Sequence, residues 1–263
     1  MSNEIYILIP SRIGSTRLKN KPLIKLKNKT LIQRVITNAL KVTPNAYVAT
    51  DSEQIKDNVN KISKNVIMTS SMHISGTDRV CEAANKLNLH ENTFILNLQG
   101  DEPFIPISLI YQVVNDYKKN ECDVITVSTE ITSNDQLNNP NCVLVETDGK
   151  NFALDFLRSG HIKNPKRHIG IYGYSLKTLK KLVDLNPTDN EKKLKLEQLR
   201  FLENNYSIYV SHYNNIIPNG IDTEDDVLMA KNYIKENENF WKLFNQKFLG
   251  YKIKSKILCG AFW

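Results

Sequence analysis

The sequence predicts an α/β protein built on a mostly parallel sheet, with a mixed or antiparallel extension in its second half. In the first half, short apolar runs alternate with segments whose apolar residues recur at helical spacing. Strands separated by helices of about 10–15 residues are typical of βαβ units and a parallel sheet. In the second half, extended segments follow one another with turns rich in Asn, Pro and Gly. That change of pattern predicts the extension.

The first half begins with residues 5–9, whose almost continuous apolar character is typical of a strand buried on both faces. Ser52 is expected to cap the second helix, because a serine side chain can accept a hydrogen bond from a free backbone N–H at a helix start. The elements predicted next, in order, are helix 31–40, strand 46–50, helix 52–62, strand 66–68, helix 77–87 and strand 93–98.

The second half is predicted to contain five extended segments: 123–130, 142–147, 152–157, 169–175 and 207–213. Two helices are also expected, over 191–203 and 225–235, with a turn at 218–220 before the second. The chain shows no internal repeat, low-complexity linker or clear domain boundary.

Composition excludes several classes of protein. The chain has 263 residues, of which 41% are hydrophobic and 24% charged, as in ordinary globular proteins. No apolar run approaches the roughly 20 residues of a membrane-spanning helix, and no signal peptide is evident. The four cysteines form no C-x-x-C pair, so we expect reduced thiols and a cytoplasmic protein.

The formal net charge of +7 favours acidic partners. The lysines are scattered among Asn and Glu and form no basic stripe. A nucleic-acid-binding protein is therefore disfavoured, and acidic small substrates are favoured.

The loop of residues 10–23 follows the first strand directly, which is where ligands bind in open parallel sheets. Backbone N–H groups and hydroxyls of Gly14, Ser15 and Thr16 can meet phosphate oxygens. Three cations, Arg12, Arg17 and Lys21, can neutralise a triphosphate. The alternative is a solvated basic loop, and the position after a buried strand favours phosphate binding. The loop is not a P-loop, because the G-x-x-x-x-G-K-[ST] pattern is absent.

Two carboxylates are candidate magnesium ligands, since Mg²⁺ takes one or two carboxylates together with phosphate oxygens and water. Asp101 follows an apolar strand in the segment Gln99-Gly100-Asp101, and Asp222 lies in the segment 220–225. The alternatives are a Gly-Asp turn at the first site and a helix capping box of Thr223 with Asp226 at the second. Residues 48–51 and 73–79 are further polar stretches, and each also fits a plain helix cap.

In their order along the chain, these segments resemble the CMP-Kdo synthetases, the 3-deoxy-manno-octulosonate cytidylyltransferases. The resemblance spans roughly residues 5–230. Its motifs are IPSRIGSTRLKNKPL, VATD, MTSSMHISGTDR, NLQGDEP, NPN, HIGIYGYS, KLEQLRFLENN and GIDTEDD.

This resemblance implies a Rossmann-like nucleotide-diphospho-sugar transferase fold of the GT-A-like type. It implies one cytidylyltransferase domain over 1–236, with a CTP-binding part at about 1–120 and a sugar-binding and dimerisation part at about 121–215. Residues 237–263 would form a C-terminal extension. The implied reaction is the Mg²⁺-dependent transfer of CMP from CTP to Kdo, giving CMP-Kdo and pyrophosphate for lipopolysaccharide or capsule synthesis, in a cytoplasmic homodimer.

The resemblance also assigns residues to roles. The implied catalytic residues are Arg12, Lys21, Asp101 and Asp222, of which Asp101 and Asp222 would bind Mg²⁺. The implied nucleotide-binding residues are Pro10, Ser11, Arg12, Arg17, Lys21, Ala49, Thr50, Asp51, Ser75, Gly76, Thr77, Arg79 and Gly100. The implied sugar-binding residues are Gln99, Arg158, His168, Tyr172, Glu197 and Gln198. By their chemistry, Arg158 and His168 suit a sugar carboxylate, and Gln99, Glu197 and Gln198 suit hydroxyls.

The sequence departs from the family pattern in three places. Only nine residues separate Arg158 from His168, where relatives commonly carry a longer loop, so an amino-substituted Kdo or a sialic-acid-like nonulosonate stays an alternative sugar. Leu157-Arg158-Ser159 stands where relatives usually carry a Ser-Arg pair, so one hydroxyl is lost. The tail from about residue 237 carries aromatic residues among lysines, typical of an amphipathic helix packed on the body or across a dimer, or of a membrane-surface contact. From another class, an inactive nucleotide-binding regulatory protein is the alternative, but Lys21, Asp101 and Asp222 are all present.

Overall fold

The computed structural model describes residues 4–14, 17–139, 141–158 and 163–237. Ser15, Thr16 and Ser159 lie outside these residues, as does the predicted extension beyond Asn237.

The described strands are β1 (Ile5–Ser11), β2 (Lys25–Leu26), β3 (Lys29–Thr30), β4 (Ala46–Thr50), β5 (Val66–Met68), β6 (Phe94–Leu98), β7 (Val124–Thr129), β8 (Leu144–Thr147), β9 (Ala153–Leu157), β10 (Lys166–Ser175) and β11 (Ile208–Tyr213). The helices are α1 (Leu31–Ala39), α2 (Glu53–Asn60), α3 (Gly76–Lys86), α4 (Ile107–Lys119), α5 (Asn134–Asn138), α6 (Leu176–Val183), α7 (Asp189–Leu194), α8 (Glu197–Glu203) and α9 (224–237). A short 3₁₀ turn covers Lys21–Leu23. No helix in the described ranges is long and apolar enough to cross a membrane.

The main sheet has the strand order β11-β7-β10-β6-β1-β4-β5. Strand β1 pairs in parallel with β4 and β6, and β4 pairs in parallel with β5. Strand β10 is antiparallel to β6, β7 and β8, and β8 is antiparallel to β9. The predicted mostly parallel sheet with a mixed extension is confirmed, because within the described sheet only β9 and β10 run against the other strands.

Helices cover both faces of the sheet, which explains why β1 is apolar throughout. Ile7 and Ile9 pack in one core cluster with residues of α1 and α4, while Leu8, between them, packs in the other cluster with residues of α3 and α6. All three side chains are fully buried. Successive strand side chains point to opposite faces, so a strand covered on both sides reads as a continuous apolar run.

Two helix starts near the sheet edge are fixed by capping side chains. Ser52 Oγ accepts a hydrogen bond from the backbone N–H of Ile55 at 3.4 Å, as the sequence predicts. Ser75 and Asp78 form a reciprocal capping box at the start of α3, with distances of 3.1 Å in both directions. This capping box fixes the start of α3, where Gly76 lies beside Pro10 and Gln99.

The prediction of one helix over 191–203 is wrong. Lys195 has a left-handed backbone (φ 55°), and it divides the segment into α7 and α8. The guanidinium group of Arg158 donates to the carbonyl oxygens of Leu194 at 2.9 Å and of Lys195 at 3.2 Å. Helices α4 and α6 were not predicted, and β10 begins three residues before the expected segment.

Candidate active site

Two open clefts lie beside each other at the carboxyl ends of β1 and β6. The first has a volume of about 350 Å³. Its lining includes Pro10, Ser11, Arg12, Arg17, Lys21, Ser75, Gly76, Arg79 and Gly100, all predicted to bind nucleotide, together with Gln99, Asp101 and Asp222.

The first cleft is formed by the loop after β1 and the 3₁₀ turn that ends it. Leu18 is 2% exposed and anchors this loop in the core, and its carbonyl oxygen accepts a hydrogen bond from the backbone N–H of Lys21 at 3.2 Å. These contacts aim the Lys21 side chain at the end of β6.

Lys21 joins the two predicted metal ligands. Its ammonium donates to Asp101 Oδ2 at 2.6 Å and to Asp222 Oδ1 at 2.8 Å. Burial lowers the pKa of Lys21, but the charges and hydrogen bonds of the two aspartates outweigh it and hold the pKa above its usual value. Lys21 is therefore a fixed cation between two carboxylates.

Asp222 lies among cations from both halves of the chain. Arg17 donates to its Oδ2 at 3.1 Å and to Asn141 Oδ1 at 3.0 Å. Burial raises the pKa of Asp222, but Lys21, Arg17 and Arg158 outweigh this effect and hold the pKa below its usual value. The predicted capping box is also present, with the Thr223 backbone N–H donating to Asp226 Oδ2 at 2.8 Å and Thr223 Oγ1 accepting from the Asp226 N–H at 3.2 Å. Thr223 thus caps α9 while Asp222 faces the cleft.

The end of β6 lies unusually close to the end of β1. A Cβ atom on Gly100 would lie 2.9 Å from the carbonyl oxygen of Pro10, so only glycine fits this position without a shift of the backbone. Beside it, the buried Ser11 Oγ has no hydrogen-bond partner in the part of the chain that the structure describes. A buried hydroxyl without a partner is costly, so Ser11 fits a site that a polar ligand completes.

Four of the predicted nucleotide-binding residues do not line the first cleft. Ala49 and Thr50 are fully buried in β4. Asp51 accepts from Arg79 Nη2 at 3.0 Å, and Thr77 Oγ1 donates to Glu197 Oε2 at 2.7 Å. Their nucleotide contacts stay a prediction.

The second cleft has a volume of about 580 Å³ and adjoins the first. Gly76, Gln99, Asp101 and Asp222 line both clefts. All six predicted sugar-binding residues line the second: Gln99, Arg158, His168, Tyr172, Glu197 and Gln198. The structure therefore brings these residues together from β6, β9, β10 and α8.

His168 is a buried, neutral imidazole. Burial, with a smaller effect of Arg167, lowers the pKa of His168 to about 3. Thr126 Oγ1 lies 2.8 Å from His168 Nε2 and 2.8 Å from the carbonyl oxygen of Ile171. The single hydroxyl hydrogen goes to that carbonyl, so Nε2–H donates to Thr126 and Nδ1 is left as an acceptor. His168 therefore suits a sugar hydroxyl better than the carboxylate expected from its residue type.

Polar side chains on the floor of the second cleft hold one another in place. The hydroxyl of Tyr172 donates to Gln198 Oε1 at 3.1 Å, and Gln99 Nε2 donates to Asn97 Oδ1 at 3.0 Å. Burial raises the pKa of Glu197, against the opposing hydrogen bonds of Thr77 and Ser75. The floor thus presents fixed donors and acceptors, as recognition of a polyhydroxylated ligand requires.

The residues present fit a magnesium ion that the substrate helps to bind. Asp101 and Asp222 both reach one point, which the Lys21 ammonium marks. The described residues contain no group of three or more His, Cys, Asp or Glu placed to hold a metal. Two carboxylates completed by phosphate oxygens and water suit Mg²⁺. Beside them, burial, with the charge of Asp101, raises the pKa of Glu102 to about 8.

Several cleft residues were not among the predicted site residues. His73 and Ile74 line the first cleft, and His73 contacts Glu82. Asn141 and Asn219 line the second. These residues belong to segments that the sequence analysis had singled out, namely MTSSMHISGTDR, NPN and the Pro-Asn-Gly turn. Their residue types alone did not indicate a role in the site.

Comparison with known proteins identifies the family. A family model described as cytidylyltransferase matches residues 6–208. The 3-deoxy-manno-octulosonate cytidylyltransferase of Thermodesulfovibrio yellowstonii is 42% identical over 247 residues, covering 85% of this chain and 95% of the relative. The protein of the same name from Francisella tularensis subsp. holarctica is 38% identical over 257 residues, covering 92% of this chain and 99% of the relative.

Solved structures agree with this assignment. A CMP:2-keto-3-deoxy-manno-octonic acid synthetase complexed with CTP superposes with a TM-score of 0.81 at 29% identity, over 89% of this chain and 100% of that one. A putative glucose-1-phosphate thymidylyltransferase from Bacillus anthracis, at 12% identity and a TM-score of 0.65 over 88% of this chain and 95% of that one, shares the fold. The fold is thus the expected Rossmann-like nucleotidyltransferase fold, and the chain belongs to the cytidylyltransferase family, among the 3-deoxy-manno-octulosonate cytidylyltransferases.

Proposed function

We propose that this protein transfers CMP from CTP to Kdo in a Mg²⁺-dependent reaction that releases pyrophosphate. The observation that carries the proposal is the junction of the two clefts at Gln99, Asp101 and Asp222. A nucleotide in the first cleft and a sugar in the second would meet at this junction. The names of the relatives and the CTP complex of the similar structure supply the substrates.

The first cleft supplies charge and fixed donors for a triphosphate. Arg12 is exposed beside the end of β1, and Lys21 and Arg17 lie along the same wall. The free N–H groups at the start of α3 and the Ser11 hydroxyl add uncharged donors. We assign Arg12, Arg17 and Lys21 to neutralising the phosphates and Ser75 to Arg79 to holding the nucleoside.

The second cleft would orient the sugar for attack. Arg158 is the cation for the sugar carboxylate, and Gln99, His168, Glu197 and Gln198 meet hydroxyls. The anomeric oxygen then forms a bond to the α-phosphorus, the bond from that phosphorus to the pyrophosphate oxygen breaks, and the hydroxyl proton is lost to an acceptor at the junction. Positioning of both reactants and neutralisation of the phosphate charge account for most of the rate.

Magnesium held by Asp101 and Asp222 would supply charge at the α-phosphate and lower the pKa of the attacking hydroxyl. Lys21, which lies between the same carboxylates in the structure, would then be free to pair with the triphosphate.

The division of labour along the chain is part of the same proposal. Residues 1–120 would bind CTP, and residues 121–215 would bind sugar and form a homodimer, with a role in lipopolysaccharide or capsule synthesis in the cytoplasm. Asp222 lies outside both ranges yet faces both clefts. The sugar side therefore also needs the chain after β11.

The test is pyrophosphate release with CTP and Mg²⁺ across a panel of Kdo, 8-amino-Kdo and a sialic-acid-like nonulosonate. We expect Kdo to give the highest kcat/KM. A preference for another sugar would keep the reaction and change the acceptor, and no release with any of them would refute the proposal and favour an inactive nucleotide-binding protein.

The metal role has its own variant. Asp101→Asn keeps the side-chain shape and should lower kcat by about 10²–10³-fold, the loss typical of one electrostatic group at a reacting centre. Its far-UV circular dichroism should match the unmodified protein, since Lys21 retains Asp222. Asp57→Asn, on the exposed side of α2, is the control. Unimpaired turnover in Asp101→Asn would refute the metal role.

A further inference from the structure

An apolar groove lies outside the two clefts, between α9 and the chain that precedes it. It has a volume of about 420 Å³, and its lining includes Phe104, Ile216, Ile217, Met229, Ala230 and Tyr233. Ile216 is 75% exposed and Met229 is 53% exposed. A contiguous exposed apolar surface of this kind marks a contact site.

The last described residue of α9, Asn237, lies one turn beyond the groove residue Tyr233, and its Nδ2 donates to the carbonyl oxygen of Tyr233 at 2.9 Å. The next residues, Glu238 and Asn239, are polar, and they precede an aromatic stretch that contains Phe240, Trp241, Phe244 and Phe248.

The aromatic stretch is within reach of the groove. Met229 precedes Asn237 by eight residues, or about 12 Å along a helix that rises 1.5 Å per residue. An extended chain covers about 3.3 Å per residue, so roughly four residues would return to the level of Met229. Trp241 and Phe244 are four and seven residues beyond Asn237.

The charges of the two segments are complementary. Residues 238–263 carry five lysines and one glutamate. Helix α9 carries four carboxylates, three of them in its first turn, against two lysines. A basic aromatic segment lying along α9 would pair its lysines with these carboxylates.

We propose that residues 240–248 of the same chain dock into this groove. Phe244 and Trp241 fill the space beside Ile216 and Met229. The groove shares Met229, Asn219 and Asp226 with the second cleft.

Tryptophan fluorescence tests the docking without reference to activity. The chain has two tryptophans, Trp241 and Trp263, and both lie in the tail. In the full chain with Trp263→Phe, the emission therefore reports on Trp241 alone. We expect emission shifted to the blue and quenching by acrylamide several-fold weaker than for free tryptophan.

Two further variants in this background locate the contact. Ile216→Asp on the groove and Phe244→Asp in the tail should each shift the emission of Trp241 to the red and restore strong quenching. Leu228→Asp is the matched control, because Leu228 is 60% exposed on α9 and does not line the groove. Its emission should equal that of the parent, with far-UV circular dichroism confirming that each variant is folded.

Three results would overturn the proposal. The first is red-shifted, strongly quenched emission of Trp241 in the Trp263→Phe protein, and the second is emission of Trp241 that is unchanged by Ile216→Asp. The third is emission that changes with protein concentration, which would show that a second copy of the chain occupies the groove.

Discussion

Gly100→Ala should disturb both the stability and the nucleotide site of this enzyme. The added Cβ would lie 2.9 Å from the carbonyl oxygen of Pro10, whereas ordinary contacts begin near 3.4 Å. The ends of β1 and β6 must therefore separate by about 0.5 Å, and both partners are backbone rather than flexible side-chain tips. Overpacking of this kind typically costs about 1–3 kcal/mol. The loss of glycine freedom in the unfolded chain offsets about 0.4–1 kcal/mol.

The net expectation is a free energy of unfolding lower by about 1–2 kcal/mol, measured by urea titration. Because the same shift moves Ser11 and Asp101 apart, the KM for CTP should rise about tenfold, since misplacements of 1 Å can cost 10²-fold. Gly149→Ala is the control, because a Cβ there meets nothing within 4 Å. A Gly100→Ala protein with unaltered stability and unaltered KM for CTP would refute the close-approach argument.

Three further substitutions test the two clefts. Lys21→Met removes the cation that lies between Asp101 and Asp222. In the absence of nucleotide, calorimetry should therefore show Mg²⁺ binding about tenfold tighter, while kcat falls at least 100-fold. Weaker Mg²⁺ binding would contradict a competition between Lys21 and Mg²⁺ for the two carboxylates. Burial holds the folded pKa of His168 near 3, below its unfolded value, so its contribution to stability is present above about pH 6.5 and is lost as the pH falls toward 3. The urea midpoint of His168→Gln should therefore fall less than that of the unmodified protein between pH 7.5 and 5, and equal losses would contradict a neutral buried imidazole. Arg158→Lys removes the planar guanidinium group that donates to two carbonyl groups. The KM for the sugar should therefore rise about tenfold, with the KM for CTP unchanged. A rise in both KM values would indicate a general structural role for Arg158.

Local chemistry made much of the fold predictable. The apolar run of β1 identified a strand covered on both faces, and Ser52 identified a helix start, because both signals act within a few residues. The break at Lys195 had no such signal. At this break Arg158 donates to two carbonyl groups that are 36 and 37 positions away in the chain. Contacts of that range are set by the assembled sheet and cannot be inferred from the helical spacing of residues 191–203.

The candidate site shows the same division. The position of Asp101 after β6, and of Lys21 in the loop that follows β1, was predicted from the topology of a parallel sheet, and the structure brings Lys21 Nζ within 2.6 Å of Asp101 Oδ2. The state of His168 could not be predicted, because residue type alone indicates a cation for a carboxylate. Its neutral ring follows from burial against Phe156 and Tyr172 and from the bond to Thr126, which the sequence does not reveal.

The position of β10 has a consequence for how the chain folds during synthesis. This strand lies between β6 and β7 and also pairs with β8, yet it follows all three in the chain. Until residue 175 has emerged from the ribosome, β6 and β7 each present an unpaired edge, and such edges recruit other chains. Pairing over this sequence separation is also slow. Nascent chains that end before β10 are therefore expected to need chaperone protection, whereas chains extended past α6 can pair β10 with both β6 and β7.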